Sequence, residues 1–358
     1  MRVRLLADDL TGAIDSAVRF VPRAGPFPVV WDPHAAAGRD SVALDLGTRE
    51  GSDAAAEARV EAAAPLLAGA DVAYLKCDSL LRGHLTVELL ACLRAGGFTR
   101  CILAPAFPAQ GRVTQNGRQY VTAMGQQTLV GPDVAAQLRA LGCAVAHCRP
   151  GDSPPLGVSL WDAATEADLD RIVSGAADGA GTTLWCGSAG LAAALAGDAT
   201  AAVTVVRRPL LALVGSDHPV TAGQLALTGA WHCPVVPGDG TARDRLAARL
   251  AEYGGAAVSV ILPPGHPRGH AAADIAETFH LLLHGLPPPA TLFATGGETL
   301  RSICESLAAT ALVVQGEFAP GVPVSELVGG RWAGVTVISK SGAFGEETLL
   351  QRLLNSAI

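Results

Sequence analysis

Three carboxylates, Asp8, Asp9 and Asp15, follow directly on the short apolar run Val3-Arg4-Leu5-Leu6-Ala7. Like charges repel and burial disfavours ionisation, so a fold keeps such a cluster at a cost unless it binds something polar. Ala13, Ala17, Val18 and Phe20 recur at roughly helical spacing after it, which places the acids at a helix start. Capping that helix and complementing its dipole would need only one Asp. The surplus acids point to a bound ligand, and parallel α/β sheets bind ligands at the carboxyl ends of their strands.

A second cluster, Lys76-Cys77-Asp78-Ser79-Leu80-Leu81-Arg82-Gly83-His84, closes the apolar run 71–76. A guanidinium can grip a carboxylate through two parallel hydrogen bonds, with lysine as a point charge beside it. A surface ion pair with a Ser79 cap would look the same in sequence. A third cluster runs from Ala104-Pro105-Ala106-Phe107-Pro108 to Gly111-Arg112 and on to Asn116-Gly117-Arg118. Lys76, Arg82, Arg112 and Arg118 are then four cations to set against Asp8, Asp9 and Asp15. Acids that hold hydroxyls and cations that hold a carboxylate suit a polyhydroxylated anion.

The second half of the chain offers three junctions of strand, glycine and helix: Gly215-Ser216, Gly296-Gly297-Glu298-Thr299, and Lys340-Ser341-Gly342-Ala343-Phe344-Gly345. Glycine lets backbone amides approach phosphate oxygens, and a helix start adds partial positive charge. Lys340 could reach a phosphate directly. One such junction is ordinary turn chemistry; three together suggest a nucleotide. Gly316-Glu317-Phe318-Ala319-Pro320-Gly321-Val322-Pro323 reads as a rigid loop that could wall it. No G-x-x-x-x-G-K-[ST], G-x-G-x-x-G or H-E-x-x-H pattern occurs. Ser216-Asp217-His218 are consecutive and cannot converge as a triad. The pairs His266/His270 and His280/His284 lack the further ligands of a zinc site.

The elements that must position these residues alternate along the chain. Apolar strands are expected at 3–7, 27–31, 41–45, 71–76, 100–104, 143–147 and 182–186, with helices at 53–67, 84–95, 132–141, 165–176 and 188–196. After a break near 197–209 the pattern resumes: strand 210–214 with helix 219–230, strand 257–262 with helix 271–285, strand 290–295 with helix 298–308, then strand 334–339 and helix 345–354. Segment 263–270 reads as a loop from its Pro and Gly content. Alternation of this kind predicts an α/β protein of two three-layer αβα domains with mostly parallel sheets, divided as 1–200 and 209–358. A hydrophobic share of 49% with only 4% aromatics implies a core of Ala, Val and Leu. A net charge of −7 without a long basic run argues against nucleic acid. Eight cysteines with no C-x-x-C spacing read as reduced, buried thiols of a cytoplasmic protein. No leader is visible, and no unbroken apolar run reaches the ~18 residues of a membrane span. Homodimer formation is compatible with all of this.

Taken in order, these motifs resemble the four-carbon acid sugar kinases. A-D-D-L-T-G-A-x-D falls on Ala7–Asp15, K-x-D-S-x-x-R-G on Lys76–Gly83, A-P-A-F-P-x-x-G-R on Ala104–Arg112, and G-S-A-G-L-A on Gly187–Ala192. In the second half, G-S with T-x-x-Q falls on Gly215-Ser216 and Thr221–Gln224. T-G-G-E-T falls on Thr295–Thr299, G-E-x-x-P-G-V-P on Gly316–Pro323 and K-S-G-x-F-G on Lys340–Gly345. The resemblance implies a sugar-acid-binding N-terminal domain, an ATP-binding C-terminal domain, and transfer of the γ-phosphoryl to the terminal hydroxyl of threonate, erythronate or a 3-oxo-tetronate. It makes Asp8, Asp9 and Asp15 the catalytic set, with Asp8 at the strand tip as first choice of general base and Asp9 as its exchange partner. Lys76, Asp78, Ser79, Arg82, Gly83 and Arg112 are the implied substrate-binding set. Gly215, Ser216, Gly296, Gly297, Glu298, Thr299, Gly316, Lys340, Gly342, Phe344 and Gly345 are the implied ATP-binding set. Mg²⁺ is expected mainly on the ATP phosphates, with Glu298 a candidate ligand, and the two halves are expected to close for transfer. Ile14 and Leu80 stand where the family pattern has Asn and Thr, which bears on which tetronate is taken. The residues alone also fit a non-phosphorylating sugar-acid enzyme of aldolase or dehydratase type using Lys76, or a catalytically silent sensor of sugar acid or nucleotide.

Overall fold

The computed structural model describes residues 1–356 except 124, 177–181, 198 and 264, and the side chains of 268 and 269. The chain folds as two compact units, Met1–Thr200 and Ala201–Ile358. The first unit begins with β1 (Val3–Ala7), α1 (Leu10–Ala24), β2 (Phe27–Val30), the short α2 (Pro33–Ala36) and β3 (Val42–Asp45). It continues with α3 (Asp53–Ala63), β4 (Val72–Lys76), α4 (Leu85–Gly96) and β5 (Arg100–Ala104). A meander of β6 (Arg112–Gln115), β7 (Arg118–Ala123) and β8 (Gln126–Val130) comes next, and then α5 (Val134–Ala140), β9 (Val145–Cys148) and β10 (Gly157–Trp161). α6 (Glu166–Ala176), β11 (Thr183–Gly187) and α7 (Ala189–Ala196) complete it.

The main sheet of this unit is parallel, in the order β2-β3-β1-β4-β11-β5-β10-β9. The chain leaves β1 toward β2 on one side and then crosses to β4 on the other. The strand order therefore reverses beside β1, at the crevice where open α/β sheets take their ligands. α1 starts here because the Asp9 side chain accepts the Gly12 amide at 2.9 Å, and it ends at Gly25, whose φ of 75° favours glycine. Strands buried on both faces read as continuous apolar runs, as β1, β4 and β5 do.

The second unit runs β12 (Leu210–Val214), α8 (Pro219–Ala226), β13 (His232–Val235), α9 (Ala242–Tyr253), β14 (Gly255–Val260), α10 (Arg268–Leu283), β15 (Thr291–Thr295) and α11 (Gly297–Ser306). It closes with β16 (Ala311–Ala319), β17 (Val322–Val328), β18 (Thr336–Lys340) and α12 (Leu349–Ser356). β13-β14-β12-β15-β18 are parallel neighbours; β17 and β16 extend the sheet antiparallel. Here the order reverses between β12 and β15. Leu210, Ala212, Phe293, Ile338 and Leu353 pack at the heart of this unit's core.

The α/β class and mostly parallel sheets agree with the sequence reading, and its clearest departures are antiparallel. The expected loop at Gly316–Pro323 is instead the tip of the β16–β17 hairpin, turned by Pro320-Gly321 with Gly321 at φ 73°. β6–β8, β10, β13, β16, β17, α2 and α9 were not expected at all, and the expected loop 263–270 gives way to α10 from Arg268. The expected helix 53–67 is α3 followed by a single 3₁₀ turn from Ala64, because Pro65 cannot continue the α-helical ladder.

Candidate functional site

Asp8 and Asp9 stand at the end of β1, and the residue that organises them is Arg49, in the loop after β3. Its Nε donates to Asp8 Oδ2 at 2.9 Å and one terminal nitrogen to Asp8 Oδ1 at 2.9 Å. The same nitrogen and its twin donate to Asp9 Oδ1 and Oδ2, both at 2.7 Å. Asp78 Oδ1 lies 3.8 Å from the nitrogen shared by the two acids. One planar fork thus spans two carboxylates, a geometry lysine cannot reproduce. Burial pushes the Arg49 guanidinium down, but Asp9 and Asp8 more than reverse this and hold it firmly charged. Burial raises the Asp9 carboxyl, against the pull of Arg49 and with a further push from Asp8. The two acids differ in access: the Asp8 side chain is 2% exposed and that of Asp9 21%.

Close approach is possible only because position 12 lacks a side chain. A Cβ on Gly12 would fall 2.5 Å from Asp9 Oδ1 and 2.9 Å from Lys76 Nζ. Lys76 is buried and its ammonium donates to the Cys77 carbonyl at 2.6 Å. Asp15 is buried on α1, six residues after the capping acid.

After β4 the chain curls around Asp78. Its Oδ2 accepts the amides of Leu80 and Arg82 at 3.1 and 3.2 Å, and Arg82 returns a bidentate pair at 2.8 Å on each oxygen. Leu81 sits inside the curl at φ 60°, uncommon for a bulky residue, and Gly83 follows at φ 83°. Burial raises Asp78, yet the Arg82 hydrogen bond and the Arg49 charge outweigh it and hold the carboxyl below the usual range. Sequence reading offered Asp78 and Arg82 to a ligand with an ion pair as the alternative, and the structure pairs the two with each other. The Ser79 carbonyl accepts from the buried Gln119 side chain on β7 at 2.9 Å, so the meander braces this curl. Arg112, at the start of β6, turns one terminal nitrogen to the Gln110 carbonyl at 2.5 Å, while its Nε is buried without a partner among the described residues. Burial lowers the Arg112 guanidinium. Arg118 lies 3.6 Å from Asp133 at the helix start beyond the meander.

In the second unit the three glycine junctions meet at the carboxyl ends of β12, β15 and β18. The Gly215 amide donates to the Thr295 carbonyl at 3.3 Å and the Gly296 amide to the Lys340 carbonyl at 3.2 Å. A Cβ on Gly215 would fall 2.0 Å from Thr299 Oγ1, and one on Gly342 would fall 2.2 Å from Ser216 Oγ. α11 starts at Gly296 (φ 101°) with no side-chain cap, so its first amides are free to meet an anion, with Glu298 in that first turn. Lys340, read in sequence as able to reach a phosphate, turns inward at the end of β18. It is 1% exposed, and its ammonium donates to Thr221 Oγ1, the Ser341 carbonyl and the Gly342 carbonyl at 2.9, 3.1 and 3.2 Å. All three hydrogens go to shaping the 341–345 loop, and burial lowers the amine to about 8. Gln224 completes the brace, donating to the carbonyls of Phe344, Gly345 and Glu346. Phe344 is buried against Gly321 of the β16–β17 turn. Gly316 lies farther along that hairpin, where a Cβ would strike the Ala201 carbonyl at 2.1 Å. Its glycine is explained by packing of the chain that enters this unit.

The class defined here is a two-domain α/β protein with an acid-and-guanidinium cluster in one domain and three converging glycine junctions in the other. Sequence comparison agrees. A sugar-binding N-terminal domain matches residues 3–143 and a nucleotide-binding C-terminal domain residues 211–350. A D-threonate kinase of Bordetella bronchiseptica is 30% identical, the match covering 98% of this chain and 96% of the relative. A D-threonate kinase of Cupriavidus necator is 31% identical over 97% and 95%. A crystallised Salmonella typhimurium LT2 protein shares the fold, with a TM-score of 0.77 at 21% identity over 98% of both chains. The chain belongs to the four-carbon acid sugar kinase family.

Proposed function

We propose that this protein is an ATP-dependent kinase that phosphorylates the terminal hydroxyl of a four-carbon acid sugar of the threonate or erythronate type. The observation that carries the reading is Arg49 spanning Asp8 and Asp9 at the ligand-binding crevice of the sugar-binding domain. A guanidinium there offers a partner to the substrate carboxylate, and the two acids offer acceptors to its hydroxyls. Lys76, Arg112 and the Asp78–Arg82 curl border the same crevice. Asp9 is the better general base of the pair, because it is the more exposed and its carboxyl is raised. This reverses the order suggested by strand position, which favoured Asp8.

The uncapped start of α11 and the loops at Gly215-Ser216 and Gly342–Gly345 suit the phosphates of ATP, which supplies the γ-phosphoryl group. Mg²⁺ fits there as a companion of the phosphates, since it keeps several waters and needs few protein ligands; Glu298 is the nearest carboxylate of that helix start. Lys340, Thr221 and Gln224 hold the loop in shape. Eight free thiols suit a reducing cytoplasm, and no described helix is long and apolar enough to cross a membrane.

ADP release measured over a panel of D- and L-threonate, D- and L-erythronate and 3-oxo-tetronates tests the function. Turnover of at least one is expected; folded protein that releases no ADP with any of them refutes it. Gly215→Ala should raise the ATP KM at least tenfold with little change in the sugar-acid KM, because the new methyl must displace Thr299 from the first turn of α11. An unchanged ATP KM would remove β12 from the nucleotide site.

A further inference from the structure

α4 turns Leu85, Leu89, Ala91 and Cys92 into the core, and on the same face stands a carboxyl, Glu88, only 2% exposed. A buried carboxyl is costly where an aliphatic chain would pack freely, unless a hydrogen bond compensates it. Glu88 has such a bond: its Oε1 and the buried Thr48 hydroxyl form a short hydrogen bond. Burial also pushes the Glu88 carboxyl up to about 7. Thr48 immediately precedes Arg49. The amides of Thr48 and Arg49 both donate to the Asp8 carbonyl, at 3.0 and 3.1 Å. From the other side Arg59 of α3 grips the Leu46 and Gly47 carbonyls at 2.9 and 3.1 Å. The peptide from which Arg49 reaches out is thus fixed by its backbone, by Arg59 and, through the Thr48 hydroxyl, by Glu88.

We propose that Glu88 is a positioning residue for the acid-sugar site: through the Thr48 hydroxyl it fixes the aim of Arg49 across Asp8 and Asp9. Glu88 itself has no need to touch substrate. The kinetic expression of this role rests on the kinase reading given above. An aliphatic side chain at 88 would keep the helix packed and lose only the tether, so the defect should fall on recognition of the sugar acid.

The test compares Glu88→Leu, Glu88→Gln and Thr48→Val in the full chain with D-threonate and D-erythronate. Glu88→Leu and Thr48→Val should each raise the sugar-acid KM about tenfold, the scale of one lost buried hydrogen bond, with kcat and the ATP KM within about twofold of the parent. Glu88→Gln keeps a hydrogen-bonding group against Thr48 and should recover most of the affinity lost in Glu88→Leu. A purely structural role would lower the melting temperature and shift both KM values together, without selective rescue by Gln. Should Glu88→Leu fail to fold, Thr48→Val decides, since it is nearly isosteric and leaves the carboxyl in place. Should the parent phosphorylate no tetronate, the kinase reading falls, and a crystal structure of Thr48→Val decides the positioning claim alone. Arg49 displaced from Asp8 or Asp9 supports it; Arg49 unmoved overturns it, as does an unchanged sugar-acid KM in an active variant.

Discussion

Replacing Arg49 by Met should cost more than any other single change in the sugar-binding domain. Two carboxylates would lose their shared counter-ion, one of them with a side chain only 2% exposed. Breaking a buried ion pair by removing one partner typically destabilises by about 3–5 kcal/mol, because the remaining charge is left uncompensated. The variant is therefore expected to melt well below the parent at neutral pH. Lowering the pH should recover part of the difference, since protonating the orphaned acids removes the repulsion. Sugar-acid affinity should fall by two orders of magnitude or more while the ATP KM stays near that of the parent. Arg49→Lys should rescue little, because an ammonium cannot make the forked contacts to both acids. A stable Arg49→Met enzyme with ordinary sugar-acid KM would refute the place given to this residue.

Asp9→Asn should abolish most of the turnover. A general base contributes about 10²- to 10⁴-fold, and the amide cannot accept the proton of the attacking hydroxyl. The ATP KM should hardly move. Asp9 also caps α1 through the Gly12 amide, and Asn keeps that acceptor, so the fold should survive. The pH profile gives a second check. Burial raises the carboxyl, so the acid-side fall of kcat/KM should lie at a higher pH than an unperturbed aspartate would set. Asp8→Asn should leave that limb in place. If Asp8→Asn removes the limb and Asp9→Asn retains near-full kcat, the two roles must be exchanged.

What sequence revealed here was whatever lies in a contiguous run. The clusters after β1 and β4 and the three glycine junctions are each compact in the chain, and regular alternation of apolar runs gave the α/β class. Arg49 escaped because its stretch, Thr48-Arg49-Glu50-Gly51-Ser52-Asp53, reads as an ordinary polar turn leading into a helix. Its partners lie about 40 positions away in sequence, although the rule that ligands bind beyond strand ends applies to β3 as much as to β1. Glu88 escaped for a related reason: a single acid on an apolar helix stripe looks like a register error until Thr48 is found opposite. Lys340 was read as the first residue after its strand and is the last residue of β18, and a lysine next to glycines says nothing about which way its ammonium turns. The β6–β7 turn was legible and overlooked. Asn116 and Gly117 both adopt positive φ, at 52° and 71°, as a two-residue hairpin requires, and that Asn-Gly was read only as part of a motif.

The fork of Arg49 has a consequence for selectivity. Asp8 and Asp9 already share the Arg49 guanidinium, so a visiting carboxylate would have to compete with two residents for it. Any contact they surrender leaves a carboxylate short of donors unless the visitor brings hydroxyls to replace it. A simple carboxylate such as acetate would strand the acids, and a neutral polyol could not draw the guanidinium away from them. Under the proposed function the crevice should therefore behave as a logical AND, favouring a molecule that carries both functions at the right separation over one that carries either alone.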